Sequence, residues 1–259
     1  MARIQFALLF FVYVFPSPIF AQQANPTATG TKDPQAIAIV QSAINALGGA
    51  NSISGIQDST VQGLEQNAED STAAAGGAFT WELAGSQFRY EVDGDNGHVL
   101  VSNNGNPQDT YNGSSHGVLA HVARASMPFH LPGTVLLSEL SGSQFAISFI
   151  GAASVNGTPA IQIHICDSSD AIGKLVSPQD WYFDSITSLP VRVEYRIPFR
   201  YPEEWSPASI NFSDYRSVSG IGVPFRLQFT QASNRLVASV SSVKFNTGLS
   251  SAEFGGQVQ

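Results

Sequence analysis

From Phe79 onward the chain is written largely in period two. Phe79, Trp81 and Leu83 alternate with Thr80 and Glu82; after Gly85-Ser86, Phe88, Tyr90 and Val92 alternate with Arg89, Glu91 and Asp93. Successive side chains of a strand point to opposite faces, so this stretch predicts a hairpin with one wet face. GHVLVSNNGN and PQDTYNG predict two further short strands. The pattern returns at Phe145 in FAISFIG, in TPAIQIHIC after the turn at Asn156-Gly157, and in QDWYFDS. In LPVRVEYRIPF, Leu189, Val191, Val193, Tyr195 and Ile197 oppose Arg192, Glu194 and Arg196. ASINFSDY, IGVPFRLQF and LVASVSSVKF close the series. In the second of these, Ile221, Val223, Phe225, Leu227 and Phe229 form an apolar stripe, and Pro224 on the polar side marks an edge or a bulge.

Helical spacing is rarer. Asp33 to about Leu47 (DPQAIAIVQSAINAL) predicts one long helix, with Asp33 as N-cap, Pro34 in the first turn and Gly48-Gly49 as the stop. Ile37, Val40, Ile44 and Leu47 lie on its apolar side. Gly117–Arg124 (GVLAHVAR) and Gly133–Leu140 (GTVLLSEL) predict two short helices midway. Strands joined by short turns pair antiparallel, and a sheet of about ten strands curls or closes. Ahead of the helix, Ile4–Phe15 is an apolar run broken by Pro16 and Pro18 and followed by Ala21, the pattern of a secretory signal cleaved after Ala21. Gln22–Thr31 is polar and contains Pro and Gly, which predicts a flexible leader over 22–32 and a single domain over 33–259.

These segments carry a resemblance. The helix ends in ALGG and is followed by the glycine-punctuated strand SGIQDSTVQGLEQ. The C-terminal run is WYFDSITSLPVRVEY, NFSDYRSVSGIGVPFRLQF and VSSVKFNTGLSSAEF. Within it, W-x-F-D…T-x-L-P-x-R-V and D-Y-R-x-V-x-G-I-x-V-P-F-R resemble the outer-membrane lipoprotein-sorting (LolA/LolB-like) group and its exported relatives of unassigned function. The resemblance covers most of the chain after residue 21, and its motifs describe folding rather than chemistry. It implies a mostly β (α+β) fold: an open, strongly curved antiparallel half-barrel with helices as a lid and a concave face that holds acyl chains. No functional residue is carried over, and the ending EFGGQVQ departs from relatives that close on phenylalanine and then proline. Cys166 is the only cysteine and lies far from Ala21, so no lipid-attachment cysteine marks the membrane-anchored acceptor type.

Composition narrows the function. Twelve basic residues face 20 acidic ones, a net charge of −8, with no basic run; nucleic acid and anionic lipid headgroups are poor partners for such a chain. One cysteine cannot make an internal disulfide, so an exported chain of this kind stands on packing alone, which favours a bacterial periplasm. GSSHG (Gly113–Gly117) matches the G-x-S-x-G nucleophile elbow, with Ser115, Glu139 and His164 in the chain order of a serine hydrolase. That motif needs a strand before and a helix after in a parallel βα unit, whereas these strands read antiparallel. A loop in which Ser114 or Ser115 caps a short helix is the plainer account. His98, His116, His121, His130 and His164 show no metal-ligand spacing, Cys166 has no zinc partner, and DGDNG (Asp93–Gly97) lacks the distal glutamate of a calcium loop. No metal, cofactor or catalytic group is therefore expected.

What remains is apolar concavity. The expected lining is Trp81, Phe88, Tyr90, Val191, Val193, Phe212, Ile221, Val223, Phe225 and Phe229. The expected function is a monomeric, non-enzymatic periplasmic carrier for a lipid or a lipoprotein acyl chain, with a membrane-bound protein as a further partner. A protein-interaction or sensor module on the same scaffold is the alternative, and a secreted esterase using Ser115 a lesser one.

Overall fold

The computed structural model describes residues 30–68, 77–93, 98–103, 106–111, 114–117, 129–200, 204–231 and 234–254. The chain order is α1 (Pro34–Ala46), α2 (Ala50–Ser54), β1 (Asp58–Asn67), β2 (Ala78–Ala84), β3 (Gln87–Val92), β4 (His98–Asn103), β5 (Asn106–Tyr111) and β6 (Ser114–Gly117). Then come α3 (Pro132–Ser141), β7 (Phe145–Val155), β8 (Thr158–Asp167), α4 (Ala171–Val176), β9 (Gln179–Asp184), β10 (Pro190–Arg200), β11 (Glu204–Val218), β12 (Ile221–Gln231) and β13 (Asn234–Phe245).

One 13-stranded sheet holds all of these strands, in the order β6-β5-β4-β3-β2-β1-β13-β12-β11-β10-β9-β8-β7. Every pair is antiparallel. The first strand is central: β2 to β6 meander out to one edge, β7 starts at the other, and β8 to β13 meander back to β1. The two edges, β6 and β7, do not pair with each other, so the half-barrel is open. The sheet is wider than the predicted count of about ten. Its unforeseen strand is β6, where Ser115 pairs with Thr110 of β5.

Local chemistry explains the register. Asn156-Gly157 and Ser219-Gly220 all have positive φ and close the β7–β8 and β11–β12 hairpins, as two-residue turns require. In β1, Gly63 sits at a register shift where a Cβ would come within 2.2 Å of Ser239 O and 2.7 Å of the Phe79 ring. The two sequence motifs bind each other: Tyr215 of the second donates its hydroxyl proton to Pro190 O of the first at 2.8 Å. In the first motif, Trp181 and Phe183 are buried, and Asp184 Oδ1 accepts from Ile186 N, Thr187 N and Thr187 Oγ1 to fix the turn.

Pro224 lies on an interior strand, not an edge. Nor is there a bulge: the pairs Ser213–Arg226 and Tyr215–Pro224 keep one register on either side of Asp214, whose φ is 54°. Pairing of β12 with β13 begins only at Arg226, so the missing N–H of Pro224 breaks no bond on that side.

Helix α1 packs across the sheet. Asp33 caps it, accepting from Gln35 N at 2.8 Å, and Gly222 N donates to Leu47 O at 2.9 Å. Val40, Ile44 and Leu47 of the predicted apolar side are buried, together with Ala36 and Ala43, while Ile37 is only half-buried. The predicted leader is not free at its end: Lys32 bridges Ile147, and Gly30 N donates to Ser143 O. Helix α3 realises the second of the predicted mid-chain helices and packs on α1, α2 and β7. Of the first, only Gly117 is described, as the end of β6; residues 118–124 lie outside the described residues, as do 1–29 and 94–97.

Candidate functional site

The concave face encloses a cavity of about 270 Å³. Its walls come from eight consecutive strands of the sheet: Leu100 on β4, Phe88 and Tyr90 on β3, Trp81 on β2, Glu65 on β1, Leu236 on β13, Phe229 to Gln231 on β12, Ala208 and Ile210 on β11, and Tyr195 and Ile197 on β10. Strands that far apart in a sheet meet around one small space only if the sheet curves strongly. Phe129 and His130, just before α3, complete the lining. They belong to the connection that carries the chain from edge β6 to edge β7.

Aromatic contacts build the wall. Trp81 stands at its centre, 4.8 Å from the His130 ring, 6.2 Å from Phe229 and 6.3 Å from Tyr90 between ring centroids. Phe88 lies 6.0 Å from His130, and Phe129 packs 4.8 Å from Tyr195. Polar groups interrupt this surface. Tyr90 donates its hydroxyl proton to Glu65 Oε2 at 2.7 Å, and burial together with the Glu65 charge pushes the phenol's pKa up. Burial likewise raises the pKa of Tyr195. His130 is buried with its Nε2 unpartnered, and burial pushes its pKa down to about 3, so the ring is neutral.

Four of the expected lining residues meet in this cavity: Trp81, Phe88, Tyr90 and Phe229. Val193 and Phe212 are in the packed core, Phe212 stacked 6.0 Å from Trp181. Ile221, Val223 and Phe225 occupy the far end of β12, buried where Leu47 of α1 meets the strand, with the Arg216 guanidinium 4.4 Å above the Phe225 ring. Val191 is set aside by a bulge: Pro190 pairs with Phe183 and Arg192 with Tyr182, which leaves Val191 half-buried outside the core. The polar liners Glu65 and His130 were not anticipated. A signal existed for the first, because Val61, Gly63 and Glu65 share one strand face, whereas Leu64 faces out and is 54% exposed.

The hydrolase arrangement does not assemble. Glu139 is wholly buried on α3 and accepts from Gln179 Nε2 at 2.6 Å, whereas His164 pairs through Nδ1 with Asp180 Oδ1 at 3.0 Å. Ser114–Gly117 has strand backbone paired with β5, so neither Ser114 nor Ser115 is a helix cap; Gly113 and residues 118–128 lie outside the described residues. No cluster of metal-ligating side chains occurs among the described residues. A second hollow of about 380 Å³ lies by Asp180, Arg192, Glu194 and Arg196. Its charges are largely matched internally, with Arg192 Nε 2.9 Å from Glu194 Oε1.

No family profile matches the chain, and no curated protein does. Solved structures do. A DUF1329-family protein from Desulfovibrio piger aligns with a TM-score of 0.52 at 13% identity, over 85% of this chain and 97% of its own. A domain from Vibrio parahaemolyticus, described as an outer-membrane lipoprotein-sorting protein, aligns at 0.51 and 14% identity, over 85% of this chain and 96% of its own. The chain has a LolA-like fold. In this LolA-like half-barrel the cavity lies on the concave face of the sheet, with Phe129 and His130 against it. Among the described residues no helix is long and apolar enough to cross a membrane.

Proposed function

We propose that this protein is an exported, non-catalytic carrier that holds a lipid, or one acyl chain of a lipoprotein, in the concave cavity. The carrying observation is the cavity itself: about 270 Å³ of aromatic-lined space on the inner face of an open sheet. That size is just below the ~300–1,000 Å³ usual for small-molecule sites, which suits one chain rather than several. Burying a methylene contributes about 0.8 kcal/mol, so the eight to ten methylenes of one chain supply roughly 6–8 kcal/mol towards binding, against which the cost of association is set. The structural likeness to a domain described as lipoprotein-sorting supports the same reading. Export rests on the apolar run Ile4–Phe15 and the small residue Ala21.

The test is titration of the purified protein with an uncharged naphthylamine dye whose fluorescence rises in apolar surroundings. Saturable uptake of one dye per chain at micromolar concentration is expected, with displacement by a single-chain lipid. Absence of saturable uptake up to the dye's solubility limit contradicts the reading.

A further inference from the structure

The cavity wall contains a polar row that an acyl chain alone leaves unused. Tyr195 of β10 pairs with Ala208 of β11, and Ala208 pairs with Gln231 of β12, so the three side chains stand abreast on one face of the sheet. All three line the cavity. Tyr195 and Gln231 are two strand spacings apart, about 10 Å between backbones, with only the methyl group of Ala208 between them. On a concave face the two longer side chains converge over that methyl group.

Neither of them is engaged by the protein. Tyr90, Tyr182 and Tyr215 donate their hydroxyl protons to Glu65, Glu194 and Pro190 O. Tyr195 has no such acceptor among the described residues, and burial alone acts on its phenol. Gln231 likewise makes no side-chain hydrogen bond to the described residues. Both side chains are half-buried rather than sealed in the core, so their polar atoms open on space. A donor so placed gains a hydrogen bond sheltered from bulk water when a ligand presents an acceptor. We propose that the cavity takes a single-chain acyl ester whose carbonyl lies over Ala208 and accepts hydrogen bonds from Tyr195 Oη and Gln231 Nε2. This deepens the carrier reading and rests on it. A carbonyl oxygen has two lone pairs, one for each donor. The chain then runs along Phe229 towards Trp81 and Phe88. Among the described residues no lysine or arginine lines the cavity, so a free carboxylate would enter without a counter-charge, and the uncharged ester is favoured.

The experiment displaces the naphthylamine dye, which has no carbonyl, with methyl decanoate and with decanoate at pH 7.5, each affinity being taken relative to that of the dye. The ester is expected to bind about fivefold or more tighter than decanoate. Tyr195→Phe keeps the ring against Phe129, and Gln231→Met keeps the length of the side chain; each should weaken the ester relative to the dye about three- to tenfold. Tyr182→Phe, which removes a hydroxyl from the opposite face, should leave that ratio unchanged. A free lipid and an acylated protein share the ester, so a short peptide bearing one ester-linked decanoyl chain is run beside methyl decanoate; the tighter binder identifies the source and is the probe on which the variants are read. An unchanged ratio in Tyr195→Phe or in Gln231→Met, an equal fall in Tyr182→Phe, or tighter binding of decanoate than of the ester overturns the inference but leaves the carrier reading standing if the dye binds. Failure of the dye to bind removes both. If circular dichroism shows that one of the two cavity variants does not fold, the other decides.

Discussion

Glu139 shows how one residue can be essential to packing and hidden from pattern reading. Its carboxyl is wholly buried, accepts from Gln179 Nε2, and through Gln179 is linked to Trp181 Nε1 at 2.8 Å. Burial outweighs the Gln179 hydrogen bond and raises its pKa to about 8. A folded-state pKa above the unfolded one means that the native state binds the proton more tightly. The associated stability is therefore fully present below the ordinary glutamate range and is lost as pH rises towards 8. Glu139→Gln has no proton to lose, so its thermal midpoint should fall behind wild type less, or overtake it, as pH goes from 5 to 8. A constant difference between the two proteins over that window would contradict this assignment. In the sequence Glu139 stood out only as a triad candidate, since spacing cannot reveal that its neighbour in space is Gln179. Glu65 and His130 were hidden for a related reason: ranking by apolarity passes over a polar residue that takes a core position.

At the scale of elements, what could be read was what local physics decides. The cap Asp33, the stop at Gly48-Gly49 and the hairpin from Phe79 to Val92 stand where the pattern puts them, with Trp81 opposite Tyr90. Bulges were not readable, and one accounts for Val191 leaving the stripe, whereas Pro224 is tolerated inside the sheet because β13 pairs with β12 only from Arg226 on. Helix α4 was missed because six residues carry too little periodicity, although Asp170 caps it through Gly173 N. The end of α3 depends on a residue 107 positions upstream: Lys32 Nζ donates to Glu139 O at 3.3 Å, Leu140 O at 2.5 Å and Gly142 O at 2.8 Å. A cation there satisfies terminal carbonyls and opposes the helix dipole. Lys32→Met should speed amide exchange in the last turn of α3 about two- to fivefold, as expected for ~0.3–1 kcal/mol at a helix end. Unchanged exchange in that turn would show the lysine to be incidental.

The whole molecule is organised by a single long return. The chain begins its sheet at the centre, reaches edge β6, crosses to edge β7 and comes back to close β13 on β1. Phe129 and His130, on the connection from β6 to β7, are buried on the concave face against Tyr195 and Trp81. A space of about 270 Å³ lies between these two residues and the sheet. The half-barrel was legible because alternating strands and a recognisable motif pair repeat it along the chain. The cavity's position was only partly legible, because it depends on how far the helices cover the stripe: α1 takes the end with Ile221 and Val223 and leaves the end with Phe229. The most direct measurement is native mass spectrometry of the protein purified from a membrane-containing extract, beside Ala208→Phe, which puts a ring into the cavity from the wall. The account predicts an adduct of single-chain lipid mass on the wild type and its loss in Ala208→Phe with the fold intact; a bare wild-type mass, or the same adduct on both proteins, would contradict it.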